Sequence, residues 1–139
     1  MGAAKTFQEL KAWQRCEQLR QFVAGVTSRP PASLDRDFCW QIRRASRSAT
    51  DNIAEGFGRY YPKEFHRYVQ MARGEINEAL NQLHRGLKDG CLSPDEYDEG
   101  MELALHAVKT TAGLHGTSGH ASLSRGDRPA PGRQSARRA

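Results

Sequence analysis

The stretch NIAEGFGRYYPKEF, residues 52–65, holds residue types that could bind a phosphate or catalyse a reaction. It combines two glycines, a carboxylate and an arginine. Phosphate-binding glycine loops follow a strand and have the spacing GxGxxG, or end in Gly-Lys-Ser/Thr. Gly56-Phe57-Gly58 lacks the third glycine, the Lys-Ser/Thr pair and a preceding strand pattern. We therefore predict structural roles: Gly56 allows a second helix to approach, and Gly58 ends a helix with a positive φ.

Patterns for metal binding and catalysis are also incomplete. A di-iron centre in a helical bundle needs two Glu-x-x-His motifs and two further glutamates. None of the five histidines lies in such a motif, and Glu102 and His106, four residues apart, have no matching set. The three cysteines, Cys16, Cys39 and Cys91, form no CxxC pair, so we expect small buried thiols. We predict a non-enzymatic protein without metal or cofactor.

Polar residues recur at helical spacing in the segment before the two glycines. We call this set the polar seam: Gln41, Arg44, Ser48, Asn52, Glu55 and Arg59. It follows one edge of an apolar helix face, where an unpaired buried polar group costs roughly 1–3 kcal/mol. Arg73 and Asn77 lie at one edge of the apolar face of the next helical segment. We predict a Glu55–Arg73 pair that sets helix register more than net stability.

Basic residues occupy the opposite side of the same segment. Arg36, Arg43 and Arg47 lie about 140° from the centre of its apolar face, with Trp40 beside them. Arg67, on the outer side of the next segment, extends this surface. Cations next to an aromatic ring suit phosphate binding and base stacking, so the surface is a candidate site for RNA or DNA. The alternative is a solvated face, with Trp40 in a subunit contact.

Four helices position these residues. Apolar residues recur with the helical period in segments 10–28, 34–56, 62–89 and from Ser93 to near Gly113, and strand patterns are absent upstream of the C-terminal tail. Pro30-Pro31 stops the first helix, and Ser33 is the predicted N-cap of the second. Pro62 suits a first turn, Gly90 a helix end, and Ser93-Pro94-Asp95-Glu96 a capping box.

Each helix has one main apolar stripe, as a bundle requires. The first stripe is Trp13, Cys16, Leu19, Val23 and Val26, and the second is Leu34, Phe38, Ile42, Ala45, Ala49 and Ile53. The third is Phe65, Tyr68, Val69, Ala72, Ile76, Ala79, Leu80, Leu83 and Leu87, and the fourth is Tyr97, Met101, Ala104, Leu105 and Val108. Phe7 and Leu10 point away from the first stripe. We predict an all-α, antiparallel up-down-up-down four-helix bundle.

Charge separates the chain into two parts. The net charge is +5 over 139 residues, but residues 118–139 hold five arginines against one aspartate and so carry +4. This tail is rich in Ser, Gly, Pro and Arg, and we predict that it is disordered. The domain is therefore residues 1–117, nearly neutral, and its basic surface is local. Neither a membrane span nor a signal peptide is predicted, so we expect a cytoplasmic protein.

Three stretches carry a family resemblance: FQELKAWQRCEQL, QIRRASRSATDNIAEGFGR and KEFHRYVQMARGEINEAL. Over about residues 7–115 the chain resembles the four-helix-bundle proteins encoded in 23S rRNA intervening sequences. That family includes accessory variability proteins of diversity-generating retroelements. The resemblance implies an up-down bundle that assembles as a homopentamer. For retroelement members it also implies a basic outer surface that contacts nucleic acid and a reverse transcriptase. Glu75, in place of Ser, and Trp40, in place of a small or polar residue, depart from the pattern.

Two functions follow from these observations. The first is a non-enzymatic oligomeric scaffold or adaptor that binds RNA or DNA through the basic outer face of the second helix. The second is a purely structural protein-assembly module without nucleic-acid binding. A reverse transcriptase is a partner only if the retroelement resemblance extends to function.

Overall fold

The computed structural model describes residues 3–114, which contain four α-helices and no strand. The helices are α1 (Lys11–Thr27), α2 (Arg36–Phe57), α3 (Pro62–Lys88) and α4 (Pro94–Gly113). Two short 3-10 helices, Phe7–Glu9 and Ala32–Leu34, precede α1 and α2. The predicted tail and the boundary at residue 117 lie outside the described residues. Within that part of the chain, no helix is long and apolar enough to cross a membrane.

Local chemistry fixes most helix ends as predicted. Pro62 occupies the first turn of α3, and Gly90 follows that helix with a φ of 77°. The predicted capping box is present at the start of α4. The Ser93 hydroxyl accepts a hydrogen bond of 3.1 Å from the Glu96 amide, and the Glu96 carboxylate accepts one of 2.9 Å from the Ser93 amide. Two donors that the helix cannot satisfy internally are therefore paired.

The start of α2 differs from the prediction. The N-cap is Asp35, whose carboxylate accepts a hydrogen bond of 3.0 Å from the Phe38 amide, and not Ser33. Leu34 is not part of the helix or of its apolar stripe. It ends a 3-10 turn and is 78% exposed, because the chain becomes extended at Asp35 before the helix begins. Gly58 also differs, since its φ of −73° is one that any residue adopts.

The core comes from α1, α2 and α3 along the predicted stripes. Large side chains with no exposed surface sit at its centre: Leu19, Ile42, Ile53, Ile76 and Leu83. Trp13, Leu80 and Leu87 lie at the margins and are half-buried. Leu10 is buried, while Phe7 packs against Trp13 with ring centroids 5.5 Å apart. The 3-10 helix before α1 therefore covers one end of the core.

The predicted apolar stripe of α4 is confirmed in part: Ala104 is buried, and Tyr97, Met101 and Val108 are half-buried against the core. Leu105 of the same stripe is 45% exposed. The buried residues of α4 are small: Gly100, Ala104, Ala107 and Thr111. A Cβ on Gly100 would lie 2.8 Å from the Phe22 ring and 2.9 Å from Leu83. At this point of α4 the neighbouring side chains leave no room for a larger residue.

Close contacts at both ends hold α2 against α3. A Cβ on Gly56 would lie 2.6 Å from the Cβ of Tyr68, so the predicted close approach at Gly56 is confirmed. Near the start of α2, the Phe38 ring fills the space that a Cβ on Gly86 would occupy, at 2.7 Å. This packing fixes which residues of α2 face α3 and which face outward.

Candidate nucleic-acid interface

A groove runs along the outward side of α2, beside the end of α1. We call it the basic groove. Its walls are Thr27, Ser33, Arg36, Cys39, Trp40, Arg43, Arg44, Arg47 and Ser48, and its volume is about 500 Å³. Four of the five residues predicted to contact nucleic acid, Arg36, Trp40, Arg43 and Arg47, therefore lie together. They recur at steps of four, three and four residues, which places them on successive turns of one helix face.

Three of these arginines have no carboxylate partner. Within residues 3–114, no Asp or Glu oxygen lies within 4.0 Å of the guanidinium nitrogens of Arg36, Arg43 or Arg47. All three side chains are exposed. Their positive charges are consequently available to an anion.

Arg43 is held in place by the end of α1. Its Nε donates a hydrogen bond of 2.7 Å to the hydroxyl of Thr27, which in turn donates one of 2.6 Å to the carbonyl of Val23. Thr27 is 2% exposed, so this anchor is rigidly packed. The bond leaves the two terminal nitrogens of Arg43 free to bind a phosphate.

Trp40 provides an aromatic surface at the groove. Its side chain is 61% exposed, although tryptophan is usually well buried in a folded domain. The guanidinium carbon of Arg44 lies 5.8 Å from the ring centroid, within the range of a cation–π contact. An exposed ring of this kind can stack on a planar ligand.

Arg67 does not extend the groove. It lies near the start of α3, where it lines a separate cavity of about 250 Å³ with Pro62, Lys63, His66 and Gln70. Its guanidinium carbon is 5.5 Å from the centroid of the Tyr68 ring. Because the start of α3 packs beside the end of α2, Arg67 is at the opposite end of α2 from Arg36.

The polar seam has partners other than the predicted ones. The predicted Glu55–Arg73 pair does not form. Glu55 instead accepts hydrogen bonds of 2.8 Å from Arg59 and 3.1 Å from the Tyr68 hydroxyl. Arg59 also donates to that hydroxyl at 2.7 Å, so Tyr68 links the two charged groups. The resulting triad spans the turn between α2 and α3.

The ion pair that does join α2 to α3 is centred on Arg44. One of its terminal nitrogens lies 2.7 Å from both carboxylate oxygens of Glu78, and the other lies 3.9 Å from Glu75. Burial raises the pKa of Glu75, and its Oε2 is buried with no hydrogen-bond partner. The Nε of Arg73 is unsatisfied in the same way. Gln41, Ser48 and Asn52 complete the seam as half-buried residues.

The three cysteines are free, and their thiols are protonated at neutral pH. Burial raises the pKa of Cys16 to about 12, and burial together with a hydrogen bond to Asp35 raises that of Cys91 to about 11. Cys39 lines the basic groove. Its Sγ lies 3.1 Å from the Ala32 carbonyl, and burial raises its pKa as well. In residues 3–114 no cluster of three or more His, Cys, Asp or Glu side chains could hold a metal ion.

Sequence reasoning missed three residues that shape these sites. Thr27 reaches Arg43 across the gap between two helices, and no spacing rule connects residues 16 positions apart in this way. Tyr68 was assigned only to the apolar stripe, since its hydroxyl has no sequence signature. Glu78 could have been found, because α2 and α3 are joined by a short turn and Arg44 and Glu78 lie at similar distances from it.

Comparison with known proteins identifies the family. A search of curated proteins found no significant match to the chain. The family model described as 23S rRNA-intervening sequence protein matches residues 8–113, which include all four helices. The match also includes the basic groove and the polar seam. The chain therefore belongs to the 23S rRNA-intervening sequence protein family.

Proposed function

We propose that this protein is a non-enzymatic scaffold or adaptor that binds nucleic acid through the basic groove. The observation that carries the proposal is the set of three arginines without carboxylate partners beside an exposed tryptophan. Arg20, Arg29 and Arg59, outside the groove, and Arg44, which lines it, each pair with a glutamate. Other arginines of residues 3–114 without a carboxylate partner are dispersed over α1 and α3: Arg15, Arg67, Arg73 and Arg85. Cations left free on one face of a nearly neutral domain favour a polyanion as ligand.

The proposal extends to assembly and location. The contacts at both ends of α2 and α3, and the Arg29–Glu96 pair between the end of α1 and the start of α4, support an antiparallel up-down-up-down bundle. We propose that copies of this bundle form a homopentamer in the cytoplasm, as the resemblance implies. In a ring the basic groove would repeat, and weak contacts would combine through avidity. A reverse transcriptase would be a further partner for a member related to the retroelement accessory proteins.

A second candidate function is a purely structural assembly module. Five large hydrophobic side chains of residues 3–114 favour it, because they are at least 45% exposed and suit contacts between subunits. They are Leu34, Trp40, Tyr61, Met71 and Leu105. In this case Trp40 would lie in a subunit interface, and the arginines beside it would be solvated.

Binding measured across a salt series distinguishes the two functions. The full chain would be titrated with a structured RNA and with a DNA duplex, alongside the variant Arg36→Glu/Arg47→Glu. Neither side chain has a partner in the described structure, so the variant should fold normally. The variant Lys11→Glu/Lys109→Glu makes the same charge change at exposed positions on α1 and α4. It controls for net charge.

The expected result is a salt slope on duplex DNA that is about 1.8 smaller in the arginine variant, since each phosphate contact contributes about 0.9. The lysine variant should keep the slope of the parent chain. Binding that is equally sensitive to both variants, or absent in the parent, would contradict the proposal. A full chain in which the five tail arginines are replaced by serine tests whether the tail dominates: Arg125, Arg128, Arg133, Arg137 and Arg138.

A further inference from the structure

The shape of the basic groove restricts the form of nucleic acid that fits it. The groove is a concavity of about 500 Å³, within the range of roughly 300–1,000 Å³ that holds small organic ligands. A smooth convex basic surface could follow the backbone of any duplex. A concave site with an aromatic wall instead takes a planar group that enters it.

Trp40 determines what that planar group is. In a duplex both faces of each base are covered by neighbouring bases, so a protein ring can stack only on a base that is unpaired or turned out. The ring is 61% exposed and lies among Arg36, Arg43 and Arg47. A base against Trp40 would therefore place its own phosphate within reach of these cations.

Hydroxyl groups complete the recognition of a nucleotide. Ser33 and Ser48 line the groove, and their hydroxyls have no hydrogen-bond partner within residues 3–114. A serine hydroxyl both donates and accepts, so it can meet any base edge or a sugar oxygen. The groove thus contains a stacking surface, phosphate-binding cations and unselective polar groups. This combination occurs in proteins that bind single strands with little sequence preference.

We propose that the basic groove binds unpaired nucleotides of a single strand, with one base stacked on Trp40 and the adjoining phosphates bound by Arg43 and Arg47. This inference rests on the proposed nucleic-acid function and narrows it to one substrate class. Of the groove arginines, Arg43 is already held in position, because its Nε donates a hydrogen bond of 2.7 Å to the Thr27 hydroxyl. Arg36 and Arg47, one to two turns away along α2, hold the strand on either side.

The test compares three probes on the full chain. They are a DNA strand of about 12 nucleotides without self-complementarity, the same strand annealed to its complement, and adenosine monophosphate. The variants are Trp40→Leu, Trp40→Phe and the control Tyr61→Leu, which removes a 54% exposed ring outside the groove. Affinity would be measured by fluorescence anisotropy for the labelled strand and duplex, and by calorimetry for the mononucleotide. Intrinsic tryptophan fluorescence provides a separate signal.

We expect the single strand to bind about tenfold more tightly than the duplex, and Trp40→Leu to remove most of that difference. Trp40→Phe should retain most of it, and Tyr61→Leu all of it. The single strand should quench the tryptophan fluorescence of the parent chain but not that of Trp40→Phe, which keeps only Trp13. Quenching in the parent that persists in Trp40→Phe would overturn the stacking on Trp40.

Other outcomes separate this inference from the proposed function. Equal binding of strand and duplex, unaffected by Trp40→Leu but weakened by Arg36→Glu/Arg47→Glu, would overturn the inference and leave nucleic-acid binding intact. Loss of all binding, or binding insensitive to every groove variant, would overturn both. Adenosine monophosphate bound as tightly as the strand would also overturn the inference, because the site would then serve a free nucleotide.

Discussion

Arg44 and Arg47 lie less than one helical turn apart on α2, yet their guanidinium groups have different surroundings. Arg44 faces α3 and binds both oxygens of Glu78 at 2.7 Å. Arg47 faces outward, and no carboxylate of the described chain lies within 4.0 Å of its guanidinium nitrogens. A rotation of about 60° around the helix separates a cation used for helix packing from one left free for a ligand. Net charge per helix does not distinguish such positions, whereas the location of the counter-charge does.

The largest expected effect concerns the side of α2 that packs on α3. Gly56→Ala should lower the free energy of unfolding by about 3 kcal/mol, because the new Cβ would lie 2.6 Å from the Cβ of Tyr68. Gly74→Ala is the matched control in α3, where nothing lies within 4 Å of an added Cβ. It should stabilise the protein by about 0.5–1 kcal/mol. Urea denaturation of both variants measures the difference, and equal stabilities would contradict the close contact.

The next largest effects are expected when Arg44 and Arg47 are each replaced by glutamine. Arg47→Gln should weaken binding of nucleic acid about fivefold, or ~1 kcal/mol, and leave stability unchanged. Arg44→Gln should lower stability, because the contact with both oxygens of Glu78 is lost. It should weaken binding less than Arg47→Gln does, since Arg44 lines the groove mainly through its contact with the Trp40 ring. Affinity measured at low salt and denaturation curves test both variants. The distinction between the two positions fails if both variants lose affinity equally.

The pH dependence of stability tests the contact between α2 and α3. Glu75 lies on α3, and its carboxylate is 3.9 Å from Arg44 of α2. Its pKa is raised by burial in the folded state, so the folded protein holds this proton more tightly than the unfolded chain does. The contribution of Glu75 to stability is complete below its unfolded pKa and is lost as the pH rises through the folded one. Glu75→Gln, which keeps the shape without the charge, should therefore stabilise the protein by about 1 kcal/mol at pH 7. At about pH 4 the gain should be close to zero.

Thermal melts of the parent and Glu75→Gln at the two pH values measure this difference. Glu78→Gln is the matched control. It removes the carboxylate that holds Arg44, so it should destabilise the protein at pH 7. A Glu75→Gln variant that is less stable than the parent at pH 7 would show that Arg44, 3.9 Å away, outweighs the burial of Glu75.

The smallest expected effect is a change in affinity at the basic groove, on the outward side of α2. Thr27→Val keeps the volume at a fully buried position but removes the hydroxyl that binds the Nε of Arg43. The charge of Arg43 remains and its orientation is lost, so affinity for a single strand should fall about two- to threefold without a change in salt slope. Ser28→Ala, an exposed change at the adjacent position, is the control. An unchanged affinity in Thr27→Val would mean that Arg43 needs no anchor.

Helix boundaries were predictable where one residue type decides them. Pro62, Gly90 and the capping box at Ser93 act through local hydrogen bonds or through φ, and the structure confirms all three. The predicted start of α2 was wrong because two nearby polar residues, Ser33 and Asp35, can both cap a helix. The 3-10 turn at Ala32–Leu34 leaves Asp35 in that role. As a result Leu34, which was predicted to lie in the core, is on the surface.

The failures on α4 and in the polar seam share a physical cause. Periodicity weighs apolar residues by hydrophobicity, but at Gly100 helix α4 lies too close to Phe22 and Leu83 for a side chain, and the most buried residues of α4 are small. In the seam, the predicted Glu55–Arg73 pair was inferred from angular position on each helix. Arg59 and the Tyr68 hydroxyl lie nearer to Glu55 and satisfy it. The positions of Arg36, Arg43 and Arg47 on one side of α2 follow from the geometry of a single helix. Arg67, which was assigned to the same surface from a second helix, lies at a separate cavity.

The 22-residue helix α2 has a consequence for any ligand that follows it. Contacts at both ends press it against α3, at Gly86 beside Phe38 and at Tyr68 beside Gly56. The Cα atoms of Arg36 and Arg47 are therefore held about 16 Å apart along the axis of α2. Because the backbone of α2 is already ordered, the conformational freedom lost on binding comes from the strand and from the exposed arginine side chains. We expect base composition to alter affinity through the stiffness of the strand, so a pliable pyrimidine tract and a self-stacked purine tract should differ even where no base edge is recognised.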